Sequence, residues 1–178
     1  MDYKNDIKIA IDNIHKLKLD NIFNINDCIC DFYCLPSHFD YTYYVRIYKV
    51  SDKYNAVYAR TEINDISGNT IYCYPFESAL RADKHSAQVG KIICGYFSPS
   101  ENLISKLKAM IELFPSENRI SDPQYIIIDG VLQVIRLWKN GNPENTVLFE
   151  NLSVHTIFEK EFAETVCNIY ELIQNELK

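Results

Sequence analysis

The chain has 178 residues, 47% of them apolar and 24% charged, with only 5 Gly and 6 Pro. That is one domain's worth of length, of the order of 100–200 residues, and the composition excludes collagen-like, linker-like and intrinsically disordered classes. No run approaches the roughly 18 uncharged apolar residues of a membrane-spanning helix, and a net charge of −6 offers no basic footprint for duplex nucleic acid.

The charge is uneven. Residues 1–40 carry seven Asp against four Lys, residues 41–143 are mildly basic, and residues 144–178 carry seven Glu against Lys160 and Lys178. Acidic ends of this kind keep a protein soluble and steer it towards a basic partner. The N-terminus, Met1-Asp2-Tyr3-Lys4-Asn5-Asp6, lacks the basic and apolar regions of a signal peptide. A cytoplasmic location is therefore expected, with the six cysteines reduced. The abundance of Asn, Ile, Tyr and Lys suits an AT-rich bacterial genome.

In chain order, Ile7, Ala10, Ile14 and Leu17 recur at helical spacing and predict an amphipathic helix over 5–19. Residues 20–40 have no clean period and read as a connection with one short element around Cys28–Cys34. Tyr41–Val50 and Ala56–Ile63 read as strands around a Ser51-Asp52-Lys53 turn, followed by a third strand, Thr70–Tyr74, after Ser67-Gly68-Asn69. Residues 76–90 are ambiguous: Glu77–Ala82 can begin a helix that Gly90 ends. Lys91–Phe97 reads as a strand. A central helix follows, with Ser98 as its cap, Pro99 at its first position and Glu101 completing a capping box. Pro115 stops it. Gln124–Ile128 and Val131–Trp138 flank Asp129-Gly130, a strong hairpin signal. Asn140-Gly141-Asn142-Pro143 makes a further turn before Thr146–Phe149, and a long helix over about 157–177 closes the chain. The expected fold is α+β: a mostly antiparallel sheet of two meanders, about six to seven strands, packed by an N-terminal, a central and a C-terminal helix. The whole of 1–178 reads as one such domain.

The five glycines form neither a dinucleotide fingerprint nor a P-loop, and no nucleophile elbow, zincin or EF-hand pattern is present. No cofactor is expected. Cys28-x-Cys30-x3-Cys34-x3-His38 places four potential zinc ligands close together, but its spacing lacks paired knuckles and its interleaved apolar residues suit buried thiols better. No metal is expected there. His85, in the polar stretch Arg81–Ser86, could pair with Cys94 as base and nucleophile.

The pattern that stands out lies on the first meander. Tyr44, Arg46 and Tyr48 share one side of their strand, and Tyr58, Arg60 and Glu62 share one side of the next. Registered together they would make a Tyr/Arg sheet face, and these residue types are enriched at binding hot spots. The expected function is therefore a non-catalytic protein-binding domain using Tyr44, Arg46, Tyr48, Tyr58 and Arg60 towards a basic protein partner. In size, charge and element order the chain looks like the small acidic α+β immunity proteins that neutralise bacterial toxins; the likeness spans the whole chain and no motif carries it. The alternative expectation is an enzyme with a dispersed hydrolase- or transferase-like site around His85 and Cys94.

Overall fold

The computed structural model describes residues 3–18, 23–35, 41–65, 75–85, 88–120, 131–150 and 158–177. The expected strands Thr70–Tyr74 and Gln124–Ile128 and the Asp129-Gly130 turn lie outside these residues, as do His38 and His155.

Helix α1 spans Tyr3–Lys16 and buries Ile7, Ala10 and Ile14, the expected stripe. Leu17 lies beyond its end and is exposed. Lys18 takes a positive φ of 55° as its amide bonds back to the His15 carbonyl, which closes the helix without a glycine. Strand β1 (Cys28–Leu35) follows a single 3-10 turn, Ile25–Asp27. Then come β2 (Tyr43–Val50), β3 (Lys53–Asp65), α2 (Phe76–His85) and β4 (Gln88–Phe97). Helix α3 (Glu101–Leu113), the two-residue β5 (Arg119–Ile120), β6 (Leu132–Lys139), β7 (Asn142–Glu150) and α4 (Lys160–Glu176) complete the order. The fold is α+β.

The strands form one sheet in the order β4-β3-β2-β1-β6-β7-β5. All neighbours are antiparallel except β5, which runs parallel to β7. Residues 28–35, expected to hold a short element within a connection, are instead the central strand, flanked by β2 and β6. The sheet is covered on both sides. Helices α3 and α4 close one side over Phe32, Val45, Ile47, Ile135 and Val147. Helices α1 and α2 close the other over Tyr33, Tyr44, Val57, Ala59 and Val134. Burial on both faces explains why β1 and β2 read as continuous apolar runs rather than alternating ones.

Two local details correct the sequence reading. The cap of α3 is Ser100, whose hydroxyl accepts from the Leu103 amide, and Pro99 precedes the helix rather than opening it. The Ser100 amide in turn donates to Glu176 Oε1, which ties the start of α3 to the end of α4. The β2–β3 turn has two residues, Ser51 and Asp52, with Val50 opposite Lys53. The β6–β7 turn, expected over Asn140–Pro143, is made by Asn140 and Gly141 alone, both at positive φ (50° and 78°) as a type I′ turn requires, and Asn142 and Pro143 already belong to β7.

Candidate functional site

The two-residue turn decides which side chains meet. It sets Tyr44 opposite Ala59 and Arg46 opposite Val57, while Tyr58 lies opposite Val45 and Arg60 opposite Tyr43. The composite Tyr/Arg face therefore does not form. Tyr44, Arg46 and Tyr48 point to the α1/α2 side, and Tyr58 and Arg60 to the α3/α4 side. There Tyr58 packs half-buried against Phe97 and Arg60 stacks on Tyr41, its Cζ 4.8 Å from the ring centroid. Tyr44 and Tyr48 are fully buried and Arg46 is only 6% exposed.

What surrounds Arg46 was built by strands far apart in sequence. Asp31 on β1 has Arg46 of β2 as its cross-strand neighbour on one side and Arg136 of β6 on the other. The Arg136 guanidinium grips the Asp31 carboxylate with two hydrogen bonds, Nε to Oδ1 at 2.8 Å and Nη2 to Oδ2. The Tyr44 hydroxyl donates to Asp31 Oδ2 at 2.8 Å and accepts from Arg46 Nε at 3.0 Å. Arg46 Nη1 faces the Tyr48 hydroxyl at 3.5 Å. The carboxylate is thus held directly by Arg136 and reaches Arg46 only through the Tyr44 hydroxyl, and the three charged groups leave one excess positive charge. Burial opposes the charge on Arg46, but the oxygens of Tyr44, Tyr48 and Asp31 outweigh that, and its pKa is raised. Among the described residues no carboxylate lies within ion-pair distance of Arg46.

Trp138 packs beside this cluster, 4.8 Å from Arg46 Cζ and 5.5 Å from Arg136 Cζ. The Phe23 and Tyr48 rings stack at 5.1 Å with an interplanar angle of 25°. Between them a cavity of about 470 Å³ is lined by Arg46, Tyr48, Trp138, Phe23, Ile25 and His15. Its walls are largely aromatic with few polar groups, and it is half open to solvent. The wall holding Phe23 and Ile25 is positioned by a close approach: a Cβ on Gly141 would come within 2.7 Å of Asn26 Oδ1. No protein-family model, curated protein or solved structure matches the chain. The reading of this site therefore rests on its own chemistry.

Further along the same side, Asp6 of α1 is 1% exposed. It accepts from the Tyr33 hydroxyl at 2.7 Å and from the Glu77 amide at 2.9 Å. One carboxylate so anchors α1 to the sheet and holds the first turn of α2, where a negative charge is favoured.

Of the expected site residues, Arg46 and Tyr48 line the cavity, Tyr44 lies beneath them in the network, and Tyr58 and Arg60 are on the other side of the sheet. Asp31, Arg136, Trp138 and Phe23 were missed. A signal for two of them was present: Asp31 is the single acid inside Cys28–Leu35 and Arg136 the single base inside Leu132–Trp138, both otherwise largely apolar stretches, and charges that become buried require partners.

Among the described residues, Cys28, Cys30, Cys94 and Cys167 are not activated thiols. Extended β1 spreads Cys28, Cys30 and Cys34 along its length, and among the described residues no three His, Cys, Asp or Glu side chains gather as metal ligands do. Burial pushes the Cys28 and Cys30 thiols well up, raises Cys167 together with the Glu171 charge, and pushes Cys94 up to about 11. His85 is the last residue of α2. At pH 8 the native Cys94 thiolate fraction is expected to be about a hundredfold below that of an unperturbed thiol. Alkylation by iodoacetamide, followed by mass spectrometry, should be slow at all five described cysteines until urea is added. Rapid native modification of Cys94 would show a thiol activated by a base.

Proposed function

We propose that this chain is a non-catalytic binding domain whose seat is the cavity over Arg46, and that it accepts an anionic group there. The observation that carries this reading is the buried guanidinium of Arg46, which lines a cavity while the nearby carboxylate is held by Arg136. A buried charge without its own counter-charge costs stability unless something compensates it, and an incoming anion does so.

The chain has one tryptophan, Trp138, and it lines the cavity. Its fluorescence is therefore a direct reporter of occupancy. Titration with a panel of carboxylates, sulfate and phosphate should give a saturable change with at least one of them, accompanied by a rise in melting temperature. No response to any anion would sink the reading.

A second reading is favoured by α4. Its outer side presents Glu161, Glu164 and Glu171, all exposed, while Phe162, Val166, Ile169 and Ile173 face the core. Such a ridge is complementary to a basic protein partner, in the manner of an immunity protein that neutralises a basic bacterial toxin. Pull-down of a stoichiometric basic protein, weakened by salt and by reversing Glu164 and Glu171 to Lys, would support it; an unaltered yield with that variant would count against it.

A further inference from the structure

We infer that the ligand of the Arg46 cavity is a monoanionic aromatic carboxylate, bound with its charge on the guanidinium and its ring between Trp138 and the Phe23–Tyr48 pair. This inference rests on the anion-binding reading above and narrows it to one chemical class.

Charge sets the first limit. Arg46, Arg136 and Asp31 together leave one positive charge. A monoanion neutralises it, whereas a phosphate dianion would exceed it by one negative charge set against largely apolar walls.

The shape of the donor sets the second. Arg46 Nε is committed to the Tyr44 hydroxyl and Nη1 faces Tyr48. Among the described residues no acceptor lies in hydrogen-bonding range of Nη2. The outer edge of the guanidinium is thus left to a planar acceptor, and a carboxylate matches a guanidinium edge in plane and spacing.

The walls set the third. Trp138 and Phe23 present aromatic surface with the buried Tyr48 ring behind them, Ile25 adds an aliphatic contact, and among the described lining residues His15 is the one titratable side chain besides Arg46 and Tyr48. A ring gains offset stacking or edge contacts with such walls beyond simple area burial. A sugar or a polyol would instead leave hydroxyls facing apolar surface.

The test uses the full chain and four probes: phenylacetate, phenylacetamide, acetate and inorganic phosphate, each followed by Trp138 emission excited at 295 nm and by calorimetry. Phenylacetate should bind at least tenfold more tightly than phenylacetamide, which lacks the charge, and tenfold more tightly than acetate, which lacks the ring. Arg46→Gln should remove the preference for phenylacetate over phenylacetamide. Phe23→Ala, a half-buried wall residue whose loss the fold tolerates better, should remove the preference over acetate and keeps the inference testable if the Arg46 variant does not fold. Binding of phosphate or acetate with no advantage for phenylacetate would overturn the inference and leave the anion reading standing. Equal binding of phenylacetate and phenylacetamide with no binding of acetate or phosphate, or no binding of any probe, would overturn both.

Discussion

Replacing Asp31 by Asn is expected to destabilise the protein by about 3–5 kcal/mol, the cost of breaking a buried ion pair by removing one partner. Asp31 is 2% exposed and takes two hydrogen bonds from Arg136 and one from Tyr44. Asn keeps the shape but not the charge. Two guanidiniums would then lie side by side on the central strands with no carboxylate between them. The loss should appear as a lower urea midpoint with an unchanged slope. Adding Arg136→Met should recover part of it, because that removes the stranded charge and adds apolar contact. A loss below about 1 kcal/mol for Asp31→Asn would mean that solvent screens the cluster, which the burial of Asp31 opposes.

The second large effect is expected at Gly90. A Cβ there would overlap the Ala79 carbonyl oxygen and lie 2.8 Å from the Ala79 Cα. The obstacle is helix backbone, so relief requires α2 to move away from β4. Gly90→Ala should cost about 3 kcal/mol, the upper part of the range for overpacking. Gly95 on the same strand is the control. Its added Cβ would meet the far end of the Tyr58 ring at 2.8 Å, and a side chain can turn aside. Gly95→Ala should therefore stay within about 1 kcal/mol of the parent, since the strain is offset by the reduced freedom of the unfolded chain. Thermal unfolding of the two variants side by side decides the matter; equal losses would refute a close α2–β4 approach.

Much of the architecture was legible from local pattern. Ile7, Ala10 and Ile14 marked α1, Phe162, Val166, Ile169 and Ile173 marked α4, and Asn140-Gly141 marked the β6–β7 turn. These signals work because a few residues decide each element. The site was less legible because it depends on register and on strand order. Reading the β2–β3 turn as Ser51-Asp52-Lys53 would put Tyr44 and Tyr58 on one face. The actual two-residue turn pairs each even-numbered residue with an odd-numbered one and sends them to opposite faces. One residue of turn length thus separates Tyr44, Arg46 and Tyr48 from Tyr58 and Arg60. The pairing of β1 with β6 has no local trace at all, and with it Asp31, Arg136 and Trp138 converge. Strand β1 itself was hard to see because burial on both sides erases the alternation that marks a half-buried strand.

The central place of β1 has a consequence during synthesis. Its neighbour β2 follows after a short connection, but the residues that pair across its other edge come much later: Asp31 and Arg136 are 105 positions apart. At roughly 5–20 residues per second, a ribosome needs on the order of 5–20 s to bring β6 out after β1. For that interval the nascent chain carries a long, apolar strand edge with unmet amides and carbonyls, the kind of template on which chains aggregate. Until the β6–β7 hairpin emerges and docks, the middle of the future sheet is its most vulnerable edge.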